Sequence, residues 1–156
     1  MKPSKCFIKT PIATVLAITD GNAITSVDFV DDDPTIEPIE HPLLRQLLKE
    51  LAEYFAGERD HFTLPLNPEG TEFQKEVWKT LLSIPYGKTI SYAEEAQKFG
   101  NPKAIRAVAN ANGRNPIAIL IPCHRVIATG GGLGGYRGGI EKKEFLLRLE
   151  SDQSSR

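Results

Sequence analysis

The first half of the chain combines strand-like and helix-like patterns of apolar residues. Residues 14–19 and 23–30 are rich in β-branched and apolar side chains, and an Asp-Gly-Asn turn at residues 20–22 predicts that they form a β-hairpin. Across residues 42–56, leucines and a phenylalanine recur every three or four positions, which is typical of one helix face, and Gly57 ends the pattern. We therefore expect one helix packed on a small sheet.

Turn-forming residues separate this half from the rest. Prolines and an asparagine in residues 62–70 predict a linker between two domains, 1–66 and 70–156. The charge changes sign at the same place: residues 1–69 hold 6 Lys and Arg against 12 Asp and Glu, whereas the remaining residues hold 13 against 8. A basic second half suits a phosphate backbone as its partner.

Helix signals recur in the second half. In Thr71–Gln74 and in Ser91–Glu94, a hydroxyl and a Gln or Glu three positions later form a capping box, which satisfies free backbone groups at a helix start. Apolar spacing predicts a closing helix over residues 141–150, with residues 151–156 as a frayed tail.

A pair of short helices is predicted between these ends. Asn101 and Pro102 indicate an N-cap and a first helical residue, so we expect a helix over residues 103–112 after the one that Ser91 starts. Two short helices separated by a tight turn are typical of a helix-turn-helix. Lys103 and Arg106 would then share the outward face of the second helix.

Composition restricts the compartment. The chain has 156 residues, of which 40% are hydrophobic, and no apolar run approaches the 18 residues of a membrane span. Residues 1–6 lack the apolar core of a secretory signal. We therefore expect a cytoplasmic protein that does not contact membranes, in which Cys6 and Cys123 stay reduced.

The strongest chemical signal is a cysteine inside an apolar run, residues 119–127. A single cysteine is more often a packing residue, but His124 and Arg125 place polar groups where a core strand would continue with apolar ones. A thiol beside a base is a candidate nucleophile. Because neighbouring side chains on an extended segment point to opposite sides, we expect no direct contact between Cys123 and His124.

Residues 121–126, Ile-Pro-Cys-His-Arg-Val, resemble the active-site signature of the O6-alkylguanine-DNA alkyltransferases, also called methylated-DNA-protein-cysteine methyltransferases. The resemblance continues through most of residues 70–150, in the segments 70–74, 77–78, 84–87, 89–92, 106–108, 112–116, 135–136 and 146–150.

This resemblance implies an α+β fold with a ribonuclease-H-like N-terminal domain and a winged-helix-like C-terminal domain containing the helix-turn-helix. It implies a DNA repair protein that flips O6-alkylguanine out of double-stranded DNA and transfers the alkyl group irreversibly to Cys123, once per molecule. O4-alkylthymine is a second candidate substrate. We expect no cofactor and no metal, and sequence-independent binding through the minor groove by a monomer, with cooperative binding along DNA as an open alternative.

The resemblance also implies residue roles. Cys123 would be the nucleophile, His124 would take its proton through a water, Glu150 would orient the imidazole, Tyr92 would donate to N3 of the base, and Asn115 would brace the turn before the cysteine. The residues implied to contact DNA are Arg106, which would fill the gap left by the base, and Lys103, Ser91, Thr89, Ala107, Arg114, Arg125, Tyr136, Arg137 and Gly138.

Three other functions fit these residues less well. A cysteine protease needs a histidine remote from its cysteine, and His41 and His61 lie outside any recognisable signature. A DNA-binding regulator or lesion sensor without chemistry is the second alternative, but the sensors that resemble this family replace the cysteine found here at position 123. Together with Cys6, the two histidines are too few and too scattered for a closed zinc site.

Overall fold

The computed structural model describes residues 2–154 and forms two compact units. The first contains the residues up to Glu69 together with Pro116–Leu120, and the second contains Gly70–Asn115 and the residues from Ile121 onward. The chain therefore returns to the first unit for five residues after the predicted linker. The predicted division into residues 1–66 and 70–156 does not include this return.

A three-stranded antiparallel sheet forms the first unit. Strands β1 (Ser4–Lys9), β2 (Thr14–Thr19) and β3 (Ile24–Val30) lie in the order β1-β2-β3. The predicted hairpin between β2 and β3 is confirmed, and the Asp20 carboxylate accepts two backbone N–H groups of its turn, at 2.8 and 2.9 Å. Strand β1 was not predicted, because lysines interrupt its short apolar pattern.

Helix α1 (Pro42–Phe55) packs on this sheet. Its predicted start is confirmed: Pro42 occupies the first turn, and Nδ1 of His41 accepts the backbone N–H of Leu43 at 3.1 Å. The face turned to the sheet buries Leu44, Leu47, Leu51 and Tyr54.

The outer side of β3 holds two more pieces of chain. Parallel bridges join Ile24 to Leu66 and Val27 to Ile117. The predicted linker at residues 62–70 is therefore partly structured, because its backbone pairs with β3. After the second bridge the chain turns sharply at Ile119, whose φ of 71° is strained for a β-branched residue, and Leu120 N–H donates to the Ala118 carbonyl at 2.8 Å.

Four helices dominate the second unit: α2 (Glu72–Leu81), α3 (Tyr92–Phe99), α4 (Ile105–Gly113) and α5 (Ile140–Ser154). Both predicted capping boxes are present, at the starts of α2 and α3. The closing helix continues to Ser154, so the prediction of a tail frayed from residue 151 is wrong for residues 151–154. Residues 155 and 156 of that tail lie outside the described residues.

The helix-turn-helix differs from the prediction at the start of its second helix. Helix α4 begins at Ile105, and the side-chain oxygen of Asn101 accepts the N–H of Lys103 at 3.2 Å in a turn before it. Lys103 thus precedes the helix and does not share a helical face with Arg106. The two helices are held on α2 by a core around Val77, where the Trp78 indole donates to the Ala111 carbonyl at 2.9 Å.

Two very short strands connect the helix-turn-helix to the cysteine segment. Strands β4 (Ile90–Ser91) and β5 (Val126–Ile127) pair in parallel, with Ile90 opposite Val126. Because α3 starts directly after β4, this pairing brings the first residue of α3, Tyr92, close to the segment that precedes β5.

Candidate active site

The backbone around Cys123 is a compact double turn. Pro122, with φ −84° and ψ 62°, is the centre of an inverse γ-turn in which Cys123 N–H donates to the Ile121 carbonyl at 2.8 Å. A 3-10 helix (Cys123–Arg125) follows and leads into β5. The predicted extended segment is therefore wrong at the cysteine, because proline fixes a turn there.

Behind the cysteine lies a buried cluster of charged groups. Nε2 of His124 is 2.7 Å from Oε2 of Glu150, and Nε of Arg125 donates to Oε1 of the same carboxylate at 2.7 Å. The guanidinium also donates to the Ile84 carbonyl at 2.8 Å. Burial alone would raise the pKa of Glu150, but the charges and hydrogen bonds of His124 and Arg125 lower it to about 2.

Only one ring nitrogen of His124, Nε2, takes part in this cluster. Nδ1 is buried and forms no hydrogen bond to any residue in the range 2–154. The structure places Glu150 against the imidazole as predicted, with the ring held from its Nε2 side. His124 can therefore exchange a proton through Nδ1 while Glu150 stabilises the charged ring.

The Cys123 thiol has a different set of neighbours. Nδ2 of Asn115 donates to the Ile121 carbonyl at 2.8 Å and lies 3.3 Å from Sγ of Cys123, so one amide braces the turn and contacts the thiol. Burial raises the pKa of Cys123, whereas the Asn115 hydrogen bond and the charge of Lys143 lower it. A thiol in such a place needs a nearby base or cation to become a thiolate.

Lys143 is a residue that the sequence analysis missed. It is completely buried in α5, and its Nζ donates to the carbonyls of Val126 at 2.7 Å and Gly135 at 3.0 Å. Burial lowers its pKa, and the nearby Cys123 opposes that shift. Helical spacing is the signal that could have found it. Lys143 lies three positions before Leu146 and seven before Glu150, on the buried face of the helix.

Tyr92 and Cys123 line the same pocket, which has a volume of about 200 Å³. Burial raises the pKa of the Tyr92 phenol, which also accepts a hydrogen bond from the Gly135 backbone. The other lining residues come from α4 and from the glycine-rich loop before α5: Ala109, Asn112, Gly113, Gly135, Tyr136 and Arg137. The structure thus brings two of the predicted DNA contacts, Tyr136 and Arg137, to the pocket.

A shallow, exposed surface adjoins this pocket at the start of α4. It is lined by Tyr92, Lys103, Ile105, Arg106 and Ala109. Arg106 and Lys103 are exposed there, although Lys103 reaches it from the turn and not from the helix. The other predicted DNA contacts with exposed side chains are Thr89, Ala107, Arg114 and Arg137.

Three predicted DNA contacts are buried or partly buried. Arg125 is buried, and its guanidinium is bound to Glu150 and Ile84, which argues against a direct contact with DNA. The Ser91 hydroxyl accepts the Glu94 N–H as the cap of α3. Gly138 is half-buried in the loop before α5.

The residues considered for rival functions lie in the first unit. His41 caps α1, and the exposed His61 is 2.8 Å from the Asp60 carboxylate. Among residues 2–154, no group of three or more His, Cys, Asp or Glu side chains could hold a metal ion. No helix in that range is long and apolar enough to span a bilayer.

Comparisons with known proteins give one family for both units. Residues 5–68 match the ribonuclease-like domain of 6-O-methylguanine DNA methyltransferase, and residues 72–152 match its DNA-binding domain. The chain is 48% identical to a methylated-DNA–protein-cysteine methyltransferase of Methanosarcina acetivorans, over 91% of this chain and 94% of the relative. A constitutive protein of the same name from Bacillus subtilis is 44% identical, over 91% of this chain and 92% of that one.

Solved structures agree with the family matches. The O6-methylguanine methyltransferase of Mycobacterium tuberculosis is similar with a TM-score of 0.86 and 41% identity, covering 97% of this chain and 94% of that one. The same organism's protein in complex with DNA gives 0.86 and 43%, with coverage of 94% and 92%. The α+β fold, with a small N-terminal sheet domain and a helical DNA-binding domain, is confirmed.

Proposed function

Since this chain belongs to the 6-O-methylguanine DNA methyltransferase family, we propose that it repairs O6-alkylguanine in double-stranded DNA by moving the alkyl group onto its own Cys123. The observation that carries this proposal is the position of Cys123 in a pocket with Tyr92, in front of the buried His124–Glu150 pair. A thiol, a proton acceptor and a phenolic donor are the groups that the reaction needs.

The reaction is a displacement at the alkyl carbon. His124 takes the thiol proton at Nδ1 through a water, and Glu150 stabilises the imidazolium that forms. The charge of Lys143 favours the thiolate further. The sulfur then bonds to the alkyl carbon while the bond from that carbon to O6 breaks, and its electron pair stays on guanine.

Tyr92 meets the charge that develops on the base. Its hydroxyl lies at the pocket that contains Cys123, and burial keeps the phenol protonated by raising its pKa. A hydrogen bond to N3 would stabilise guanine as a leaving group more than it stabilises the substrate. Asn115 holds the turn that presents the sulfur.

The product limits each molecule to one reaction. The thioether on Cys123 is stable, and the described residues that line the pocket include no second thiol to which the alkyl group could pass. We therefore infer an irreversible, stoichiometric reaction. Alkyl groups on O4 of thymine present the same kind of carbon and are the second candidate substrate.

DNA is bound by the second unit. The target atom is not accessible inside a duplex, so the base must leave the stack, at a cost of a few kcal/mol. Arg106 is exposed beside the pocket and can fill the gap in the stack from the minor groove. Contacts from Lys103, Thr89, Ala107 and Arg114 to the backbone carry no sequence information. We expect a cytoplasmic monomer in which residues 70–156 contain the chemistry.

Titration of the DNA tests this proposal. A duplex with one O6-methylguanine is mixed with increasing amounts of protein, and recovered guanine is measured by chromatography of the nucleosides. The proposal predicts one guanine restored per protein molecule and none with Cys123→Ala. Repeated turnover, or repair by the alanine variant, would exclude self-alkylation.

A further inference from the structure

Helix α3 carries an acidic side chain in the protein interior. Glu95 lies one turn after Tyr92 on the same face of α3, and none of its surface is exposed. Its neighbour Glu94 is exposed and caps the helix. A buried carboxylate is costly unless a cation or several donors compensate the charge, so Glu95 needs an explanation.

Glu95 has one hydrogen-bond partner in the described part of the chain. Nδ2 of Asn112, on α4, donates to Oε1 of Glu95 at 2.7 Å. The second oxygen of each group, Oε2 of Glu95 and Oδ1 of Asn112, is buried and has no partner among residues 2–154. If Glu95 is ionised, two buried acceptor oxygens therefore receive no hydrogen bond.

A proton on the carboxyl resolves this arrangement. Carboxyl and amide groups are both planar and two-pronged, and when they pair in one plane through an N–H···O bond, the two remaining atoms face each other. If Glu95 is ionised, both of those atoms are acceptors and repel. If Glu95 is protonated, its O–H can donate to Oδ1, and both buried groups are satisfied.

The surroundings favour the neutral carboxyl. No lysine or arginine within residues 2–154 forms an ion pair with Glu95, and the buried residues of the packed helices α2 and α4 are uncharged: Val77, Trp78, Leu81, Val108, Ala111 and Asn112. The neighbouring β4 and β5 contain no ionisable residue. Burial raises the pKa of Glu95 to about 7, against the opposing effect of Asn112.

The ionisable groups that Glu95 influences belong to the active site. A negative charge on Glu95 raises the pKa of Cys123 and of Tyr92. Asn112, the partner of Glu95, lines the pocket with both of these residues. The hydrogen bond between Glu95 and Asn112 therefore links the charge of Glu95 to the orientation of Asn112 in the pocket lining.

We propose that Glu95 acts as a protonated carboxyl that holds Asn112 through two hydrogen bonds, and is thereby a positioning residue for alkyl transfer to Cys123. The proposal rests on the proposed function. Ionisation of Glu95 removes one of its two hydrogen bonds to Asn112. It also places a negative charge near the Cys123 sulfur, which must become a thiolate. Both effects slow the reaction.

Glu95→Gln is the sharpest test, because an amide keeps a donor and an acceptor at every pH. The single-turnover rate on O6-methylguanine duplex is measured from pH 6 to pH 8. We expect wild type and Glu95→Gln to agree within about a factor of two at pH 6. By pH 8 the variant is about tenfold faster, since a carboxyl with a pKa near 7 is then roughly nine-tenths ionised. Glu95→Ala is slow throughout, because it leaves both polar groups of Asn112 without a partner.

Glu94→Gln is the matched control. It removes an exposed carboxylate one position away and keeps the capping box, since glutamine also serves in that motif. Its rate relative to wild type should not change with pH. A ratio of Glu95→Gln to wild type that is constant with pH, or a Glu95→Gln variant as slow as Glu95→Ala, would overturn the proposal.

Infrared spectroscopy separates this proposal from the proposed function. Wild type at pH 6 should show the carbonyl stretch of a buried protonated carboxyl, which disappears in Glu95→Gln and on raising the pH to 8. Absence of that band at pH 6 would also overturn the proposal. If wild type transfers no methyl group at any pH, the proposed function fails, while the infrared result still decides the state of Glu95.

Discussion

Nε2 of His124 lies 2.7 Å from Oε2 of Glu150, 26 residues further along the chain, and both side chains are buried. The contact joins the 3-10 helix that presents Cys123 to the closing helix α5. Arg125 binds the same carboxylate, so a single acidic group anchors two consecutive residues beside the nucleophile. Glu150 therefore contributes to stability as well as to chemistry.

Replacement of Glu150 by glutamine should reduce both properties. The change leaves Arg125 buried without its counter-charge, which costs about 3 kcal/mol of unfolding free energy. Denaturant unfolding measures this loss. Glu144→Gln is the control, because its ion pair with Arg148 is on the surface and should contribute less than about 0.5 kcal/mol. Equal effects of the two variants would contradict the structural role of Glu150.

Glu150 also predicts how stability depends on pH. Its pKa is about 2 in the folded protein and 4.5 ordinarily, so the folded state binds this proton more weakly than the unfolded state. The stabilisation is complete above about pH 5 and is lost as the pH falls toward 2. Unfolding free energies measured from pH 7 to pH 3 should fall more steeply for wild type than for Glu150→Gln. Parallel curves would assign the acid sensitivity to other carboxyls.

Glycine is required at position 134 by the phenol of Tyr92. A Cβ at Gly134 would lie 2.7 Å from Oη of Tyr92, and φ there is 73°. Gly134→Ala should displace the phenol and slow alkyl transfer by at least about tenfold, since mispositioned catalytic groups cost one to two orders of magnitude. Gly132→Ala is the matched control, because a Cβ there makes only an ordinary contact, 3.7 Å from Cβ of Ala128, and φ is not positive. The prediction fails if the two variants react equally fast.

The hydroxyl of Tyr92 can be tested without disturbing the pocket. Tyr92→Phe keeps the ring that packs near Nζ of Lys143 but removes the donor to the base. We expect single-turnover alkyl transfer to slow by about 100-fold, as for loss of one donor to a developing charge. The affinity for the lesion duplex should stay within about twofold. A rate equal to wild type would remove Tyr92 from the mechanism.

Arg106 should matter only when the base has to leave a duplex. Arg106→Ala removes an exposed side chain, so the fold is expected to be intact. Repair of a lesion duplex should slow by about tenfold or more, because base flipping loses its stabilising partner. The reaction with free O6-methylguanine base should be unchanged. Arg148→Ala, at an exposed site on α5, is the control for charge alone. Equal slowing on duplex and free base would contradict the role in flipping.

Local signals in the sequence predicted local structure well. The capping boxes at Thr71 and Ser91 formed as expected, because each depends on residues only three positions apart. Asn101 shows the limit of such signals, since its side chain can cap a helix or close a turn with the same hydrogen bond. Here it closes a turn, and α4 starts four residues later.

Long-range contacts determine the rest of the site. The resemblance placed Glu150 with His124, but only the helical spacing to Leu146 and Glu150 distinguishes the buried Lys143 from its neighbour Lys142. Likewise Glu95 and Arg125 resemble surface residues in sequence, and only the packing of distant elements buries them. The five residues that return to the first unit, Pro116–Leu120, were missed for the same reason.

The central claim is that Cys123 accepts the alkyl group in an irreversible self-alkylation, and the mass of the protein tests it most directly. Stoichiometric protein is incubated with O6-methylguanine duplex, and intact mass and peptide mapping follow. We predict a gain of one methyl group in place of one hydrogen, on the peptide containing Cys123, that reaches one equivalent and stops. Cys6, whose pKa burial raises to about 11, should stay unmodified. An unchanged mass with selective binding of the lesion would contradict the account and make the chain a lesion sensor.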